Sequence, residues 1–133
     1  MPETALSNSP GTGSCSRSVL IVEDNDAVRQ FFVNPLTREG YQVFPAHSCG
    51  EAQDYARRHG IDLLVTDLNL PDGDGRELAR QLRQQIPGLK VLICSGSFET
   101  SEGWLASEMG ADALIVKPFA RRVVLETVRN LFA

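Results

Sequence analysis

The chain has 133 residues, of which 42% are hydrophobic and 23% are charged, and its formal net charge is -4. This length and balance fit one soluble domain with a packed core of its own, and the acidic charge argues against direct nucleic-acid binding without excluding a local basic patch. No apolar run is long enough to span a membrane, and the N-terminus lacks the pattern of a secretory signal. The three scattered cysteines, Cys15, Cys49 and Cys94, indicate reduced thiols, so we expect a cytoplasmic protein.

The first residues of the chain are rich in Ser, Thr, Gly and Pro and show no periodicity. They predict a flexible N-terminal tail over residues 1–17 and a folded domain over residues 18–133. In the folded part, short apolar runs predict five strands, which lie at 18–22, 41–46, 62–66, 90–94 and 113–116. Only the second run, which contains Gln42 and Pro45, has the composition of an edge strand.

Amphipathic stretches between these runs predict five helices. Ser48 and Glu51 have the spacing of a capping box at the start of the second helix, and Asp74 is the candidate cap of the third. The fourth helix, near residues 101–109, is weakly indicated because Gly103 lies inside it. Strands that alternate with helices predict an α/β domain with a parallel sheet covered on both faces.

Polar residues follow four of the five predicted strands. Glu23 and Asp24 follow the first, Asp67 the third, Ser95 the fourth and Lys117 the fifth. In open α/β sheets, ligands bind beyond the carboxyl ends of the strands. Taken singly, these residues have ordinary interpretations as helix caps, turn formers and solvated loop residues. Taken together, they predict a charged site at one edge of the sheet.

The chemistry of this set points to phosphoryl transfer. Three neighbouring carboxylates repel each other, and a hard cation such as Mg²⁺ relieves that repulsion. A carboxylate beside Mg²⁺, such as that of Asp67, can attack phosphorus and form an acyl phosphate. Lys117 can neutralise charge on the transferred group, and the Ser95 hydroxyl can donate a hydrogen bond to it.

Four segments of the sequence carry a resemblance to a known family, and they read "VLIVEDN", "LLVTDLNLPDGDG", "VLICSGS" and "VKPF". In this order and spacing, over about residues 18–133, the chain resembles the response-regulator receiver domain of two-component signalling. The phrase "PGLKVLICSG" resembles the receivers of hybrid sensor kinases. The resemblance implies a flavodoxin-like (βα)5 three-layer sandwich with strand order 2-1-3-4-5.

The resemblance also implies a role for each site residue. Asp67 would be the phospho-acceptor, Ser95 the switch hydroxyl and Lys117 the partner of the phosphate. Mg²⁺ would be bound by the side chains of Asp24 and Asp67, by the backbone carbonyl of Asn69, and through water by Glu23.

The resemblance implies function in a phosphorelay rather than as an enzyme, apart from assistance to the domain's own phosphorylation and dephosphorylation. The phosphoryl donor would be a histidine kinase or a histidine phosphotransfer domain, and the signal would pass to a downstream protein or output domain. The responding surface would be the face formed by helix 4, strand 5 and helix 5, near Phe98, Trp104, Leu114 and Arg121–Arg122.

One departure from the family pattern keeps an alternative open. Leu114 stands where receivers usually have an aromatic residue, which leaves room for an interaction module that works without phosphorylation. A small Mg²⁺-dependent phosphohydrolase is less favoured, because the second Asp it needs is replaced by Asn69. A calcium loop is set aside because Asp72 and Leu78 stand where Gly and Glu are required.

Overall fold

The computed structural model describes residues 17–95, 111–117 and 119–132. The five main strands are β1 Ser18–Val22, β2 Gln42–Ala46, β3 Leu63–Asp67, β4 Lys90–Ser95 and β5 Ala113–Val116. The helices are α1 Asp26–Arg38, α2 Cys49–Arg58, α3 Gly75–Gln85 and a C-terminal helix, Arg121–Phe132. The predicted fourth helix, most of the predicted tail, and Phe98 and Trp104 lie outside the described residues.

All five strands are parallel and lie in the order β2-β1-β3-β4-β5, which confirms the predicted topology. The predicted order places β2 and β5 at the two edges, but only β2 has the composition of an edge strand. The apolar composition of β5 has a packing explanation: Leu114 contacts the core on one face of the sheet, and Ile115 lies in the core on the other.

Successive residues of each strand point to opposite faces of the sheet, so the core has two halves. In β1, Leu20 and Val22 face the half that is covered by α2 and α3, whereas Val19 and Ile21 face the half covered by α1 and the C-terminal helix. Burial on both faces explains why the strands are continuous apolar runs. Cys94, at the end of one such run, is buried in the second half.

The helix caps largely follow the predictions. The side chain of Asp74 caps α3 by accepting a hydrogen bond from the Arg76 N–H at 2.8 Å. The predicted capping box is only half formed: Ser48 caps α2, but the Glu51 carboxylate accepts the N–H of His47 at 2.8 Å. The same Glu51 carboxylate oxygen also lies 2.6 Å from the ring nitrogen Nδ1 of His47.

Within the described ranges, no helix combines the length and the apolar character that crossing a bilayer requires.

Candidate functional site

The carboxyl ends of β1 and β3 bring three carboxylates together. These strands are neighbours in the sheet, with Val22 beside Thr66. Glu23, Asp24 and Asp67 therefore each place one oxygen within 4.8 Å of the others. The prediction that these strand-end residues lie close together is confirmed.

Glu23 is the charged group most removed from water among the described residues, with 3% of its surface exposed. One carboxylate oxygen accepts the Asn25 N–H at 3.1 Å, and the other accepts the Lys117 Nζ at 3.1 Å. Burial raises the pKa of the Glu23 carboxyl, the bonds from Asn25 and Lys117 oppose this, and the charge of Asp67 adds to it. Burial and repulsion between the carboxylates therefore disfavour their negative charge, and a bound cation would reduce that cost.

Lys117 is the cation that the chain itself supplies. Its Nζ donates to Asp67 Oδ2 at 3.0 Å as well as to Glu23 Oε1. Burial alone would lower the pKa of Lys117, but the hydrogen bonds and charges of the two carboxylates outweigh burial and raise it. Lys117 is thus held charged in direct contact with the predicted phospho-acceptor.

The backbone of Asp67 is fixed from two sides. The hydroxyl of Thr66, a fully buried residue, donates to the Asp67 carbonyl at 2.9 Å. On the other side, α3 begins so close to Asp67 that a Cβ on Gly75 would lie 1.9 Å from the Asp67 carbonyl oxygen. Only glycine permits this approach. The backbone that carries the Asp67 carboxylate is therefore held between Thr66 and the start of α3.

The segment after Asp67 forms a small antiparallel ribbon, in which Asn69–Leu70 pairs with Gly73–Asp74. The Gly75 N–H donates to the Leu68 carbonyl at 2.8 Å, so Asn69 and Asp74 form a pair without hydrogen bonds between their own backbones. The Asn69 N–H instead points to Asp67 Oδ1 at 3.4 Å. Asn69 therefore lies next to the Asp67 carboxylate, on the ribbon that follows β3.

This donor set fits a magnesium ion. Octahedral Mg²⁺ holds oxygens at about 2.1 Å, which places neighbouring ligands about 3 Å apart and opposite ones about 4 Å apart. The carboxylate oxygens of Glu23, Asp24 and Asp67 lie within 4.8 Å of one another, so one ion can be reached by all three with small side-chain adjustments. Carboxylates, one backbone carbonyl and waters are the ligands that Mg²⁺ prefers.

Ser95 ends β4 beside Val116 of β5, which places its backbone at the same sheet edge, but its side chain lies outside the described residues. Leu114 is half-buried and packs against the core half under α2 and α3.

Sequence reasoning missed several supporting residues. Arg29 donates to the Glu23 carbonyl at 2.7 Å and pairs with Asp26, one turn back on α1. Thr66 and Gly75 hold the Asp67 backbone. The Gly that directly follows the Asp74 cap was a usable signal for a close approach, whereas nothing local in the sequence marks Arg29.

The comparisons with known proteins agree with this geometry. The sequence model of the response regulator receiver domain matches residues 19–129. The KDP operon transcriptional regulatory protein KdpE of Escherichia coli K12 is 40% identical over 102 residues, which are 77% of this chain and 45% of KdpE. The sensor kinase CckA of Brucella abortus is 37% identical over an alignment of 123 positions, which covers 89% of this chain and 13% of CckA.

A solved structure gives the same picture of the fold. The chemotaxis response regulator CheY4 of Vibrio cholerae superimposes with a TM-score of 0.79 at 26% identity, and the match covers 88% of this chain and 99% of CheY4. The fold and site define a two-component receiver domain, and the chain belongs to the response regulator receiver family. It spans less than half the length of the curated relatives KdpE and CckA.

Proposed function

We propose that this domain accepts a phosphoryl group on Asp67 from a phosphohistidine of a histidine kinase or a histidine phosphotransfer domain, in the presence of Mg²⁺. One observation supports the proposal above all: the Asp67 carboxylate lies in one acidic cluster with Glu23 and Asp24 and accepts a hydrogen bond from Lys117 at 3.0 Å. A nucleophilic carboxylate, a cation site and a fixed ammonium group are the parts that phosphoryl transfer needs.

In the transfer step, one oxygen of the Asp67 carboxylate forms a bond to phosphorus as the phosphorus–nitrogen bond breaks. The electron pair of that bond stays on the imidazole, which carries a proton on its other nitrogen and leaves neutral. A bound Mg²⁺ would neutralise charge on the carboxylates and on the phosphoryl oxygens. Asp24 and Asp67 would hold the ion with their side chains, Asn69 with its carbonyl, and Glu23 through water.

Lys117 then has a second role. Its Nζ, already beside Asp67 Oδ2, is placed to bind an oxygen of the new phosphoryl group, which carries a charge of about -1.5 to -2 at neutral pH. The Ser95 hydroxyl supplies the other hydrogen bond to that group. These two contacts bias the face of helix 4, strand 5 and helix 5 toward the conformation that a downstream protein or output domain recognises.

Leu114 implies a particular form of this response. The residue is half-buried and aliphatic, so the response does not use rotation of an aromatic side chain at this position. We place the protein in the cytoplasm, as a phosphorelay component whose only chemistry is its own phosphorylation and dephosphorylation.

The test is phosphoryl transfer from a small acyl phosphate to the purified chain, with and without Mg²⁺. We expect Mg²⁺-dependent labelling that Asp67→Asn abolishes and that Asp54→Asn, on the exposed face of α2, leaves intact. Labelling that survives Asp67→Asn contradicts the proposal. Absence of labelling in the wild-type chain favours the phosphorylation-independent module, and turnover of a free phosphomonoester favours the phosphohydrolase.

A further inference from the structure

Asp72 makes an unexpected long-range contact from the loop after β3. Its Oδ1 accepts the Cys49 N–H at 2.8 Å and its Oδ2 accepts the Gly50 N–H at 3.0 Å. Both donors lie in the first turn of α2, more than 20 residues earlier in the chain. The loop that carries the proposed phosphorylation site is therefore tied to a second helix.

The contact completes the N-terminus of α2. The first turn of a helix has N–H groups with no partner in the helix itself. Here the Ser48 hydroxyl accepts the N–H of Glu51 at 3.2 Å, and Asp72 accepts the two N–H groups before it. The loop and the start of α2 are also closely packed, because a Cβ on Gly73 would lie 3.1 Å from the Cys49 Sγ.

The other end of the loop is held by α3. Asp74 caps that helix, and the Gly75 N–H bonds to the Leu68 carbonyl at 2.8 Å. Asp72 itself lies in the two-residue turn between the ribbon strands Asn69–Leu70 and Gly73–Asp74. The ribbon is thus fixed by α3 at its base and by Asp72 at its tip.

We infer that Asp72 is a positioning residue for the cation site, because it holds the tip of the ribbon that carries the Asn69 carbonyl. Asp72 does not touch the acidic cluster itself, so it acts through the loop backbone. The inference rests on the proposed function, since it assumes that Asn69 contributes its carbonyl to Mg²⁺. Loss of supporting contacts behind metal ligands typically lowers metal affinity by about 10–100-fold.

A simpler account is that Asp72 only stabilises α2. Ser48→Ala is the matched control for this account, because it removes a cap from the same helix end without touching the loop. If Asp72 were only a cap, Asp72→Ala and Ser48→Ala would have the same effect on Mg²⁺ affinity. If it positions the loop, only Asp72→Ala weakens Mg²⁺ binding.

The experiment measures Mg²⁺ affinity by calorimetry and amide hydrogen exchange by NMR in the wild-type chain, Asp72→Ala, Asp72→Asn and Ser48→Ala. We expect Asp72→Ala to bind Mg²⁺ about tenfold more weakly than wild type, while Ser48→Ala stays within about twofold. Exchange at Gly75, whose N–H closes the base of the ribbon, should be faster in Asp72→Ala than in Ser48→Ala.

Asp72→Asn keeps one acceptor oxygen and should fall between wild type and Asp72→Ala, which covers the case that the alanine variant does not fold. Equal Mg²⁺ affinity in the Asp72 and Ser48 variants would overturn the inference, whatever the exchange at Gly75, while leaving the proposed function intact. A wild-type chain that binds no Mg²⁺ would overturn both.

Discussion

Gly75→Ala is expected to damage both the stability and the phosphorylation of the domain. The added Cβ would lie 1.9 Å from the Asp67 carbonyl oxygen, 2.9 Å from the Asp67 carbonyl carbon and 3.1 Å from the Thr66 Oγ1. Close carbon–oxygen contacts begin near 3.3 Å, so the start of α3 or the end of β3 must move by about 1.4 Å. β3 cannot yield easily because it is paired with strands on both sides. The start of α3 is held by the hydrogen bond from the Gly75 N–H to the Leu68 carbonyl.

The size of the effect follows from this displacement. Overpacking of this kind costs about 1–3 kcal/mol of unfolding free energy. For a domain of this size that corresponds to a fall in Tm of roughly 4–12 °C. The rate of phosphoryl transfer should fall by about 100-fold, because a displacement of about 1 Å misplaces the attacking oxygen of Asp67.

The assay is thermal unfolding by circular dichroism together with the initial rate of labelling by an acyl phosphate. Gly60→Ala is the matched control, because a Cβ there has no neighbour within 4 Å, and its unfolding free energy should change by no more than about 0.5 kcal/mol. If Gly75→Ala matched Gly60→Ala in both Tm and labelling rate, the close approach of α3 to Asp67 would be refuted.

Three further predictions concern the start of α2. Gly50→Ala should raise the unfolding free energy by about 0.5–1 kcal/mol, because a helical Gly loses more backbone entropy on folding than Ala does. The new Cβ would lie 3.6 Å from Asp72 Oδ2, which is an ordinary contact distance. A loss of stability in urea unfolding would contradict this prediction. The N–H groups of Cys49 and Gly50 lower the pKa of Asp72 from its usual 3.8, so the stabilisation it gives is complete above about pH 5 and is lost as the pH falls through the lowered pKa. Urea unfolding should therefore show that the wild-type chain is more stable than Asp72→Asn at neutral pH, and this difference should shrink below about pH 4. A difference that stayed constant with pH would contradict the role of the Asp72 carboxylate at the start of α2. Burial, and to a smaller extent the charge of Asp72, raise the pKa of Cys49 to about 11. Alkylation of Cys49 at pH 8 should therefore be slow in the wild-type chain and faster in Asp72→Asn. A wild-type rate equal to that of a free thiol would exclude the raised pKa.

Much of the fold was predictable because its signals are local. Continuous apolar runs mark strands that are buried on both faces, and the capping side chain of Asp74 lies two residues from the N–H that it binds. The family resemblance supplied the strand order, which the structure confirms. The composition of β5 alone did not indicate an edge strand, because its apolar residues reach the core on both faces.

The cluster of Glu23, Asp24 and Asp67 was predictable because parallel strands bring their carboxyl ends to one edge. The bond from Asp72 to α2 was not, since it joins residues more than 20 positions apart and no spacing rule links them. The sequence around Asp72 indicates only that the loop is not a calcium loop. Glu51 shows the same limit at short range: its spacing from Ser48 predicts a capping box, but its carboxylate accepts the N–H of His47 and contacts the His47 ring.

The central claim is that Asp67 receives the phosphoryl group, and peptide mapping by mass spectrometry tests it most directly. The chain would be incubated with an acyl phosphate and Mg²⁺, reduced with borohydride to convert an aspartyl phosphate into homoserine, and digested. We predict that homoserine appears at position 67, in the peptide that contains "LLVTDLNLPDGDG". Conversion at Asp24 or at any other carboxylate, with Asp67 unmodified, would contradict the account.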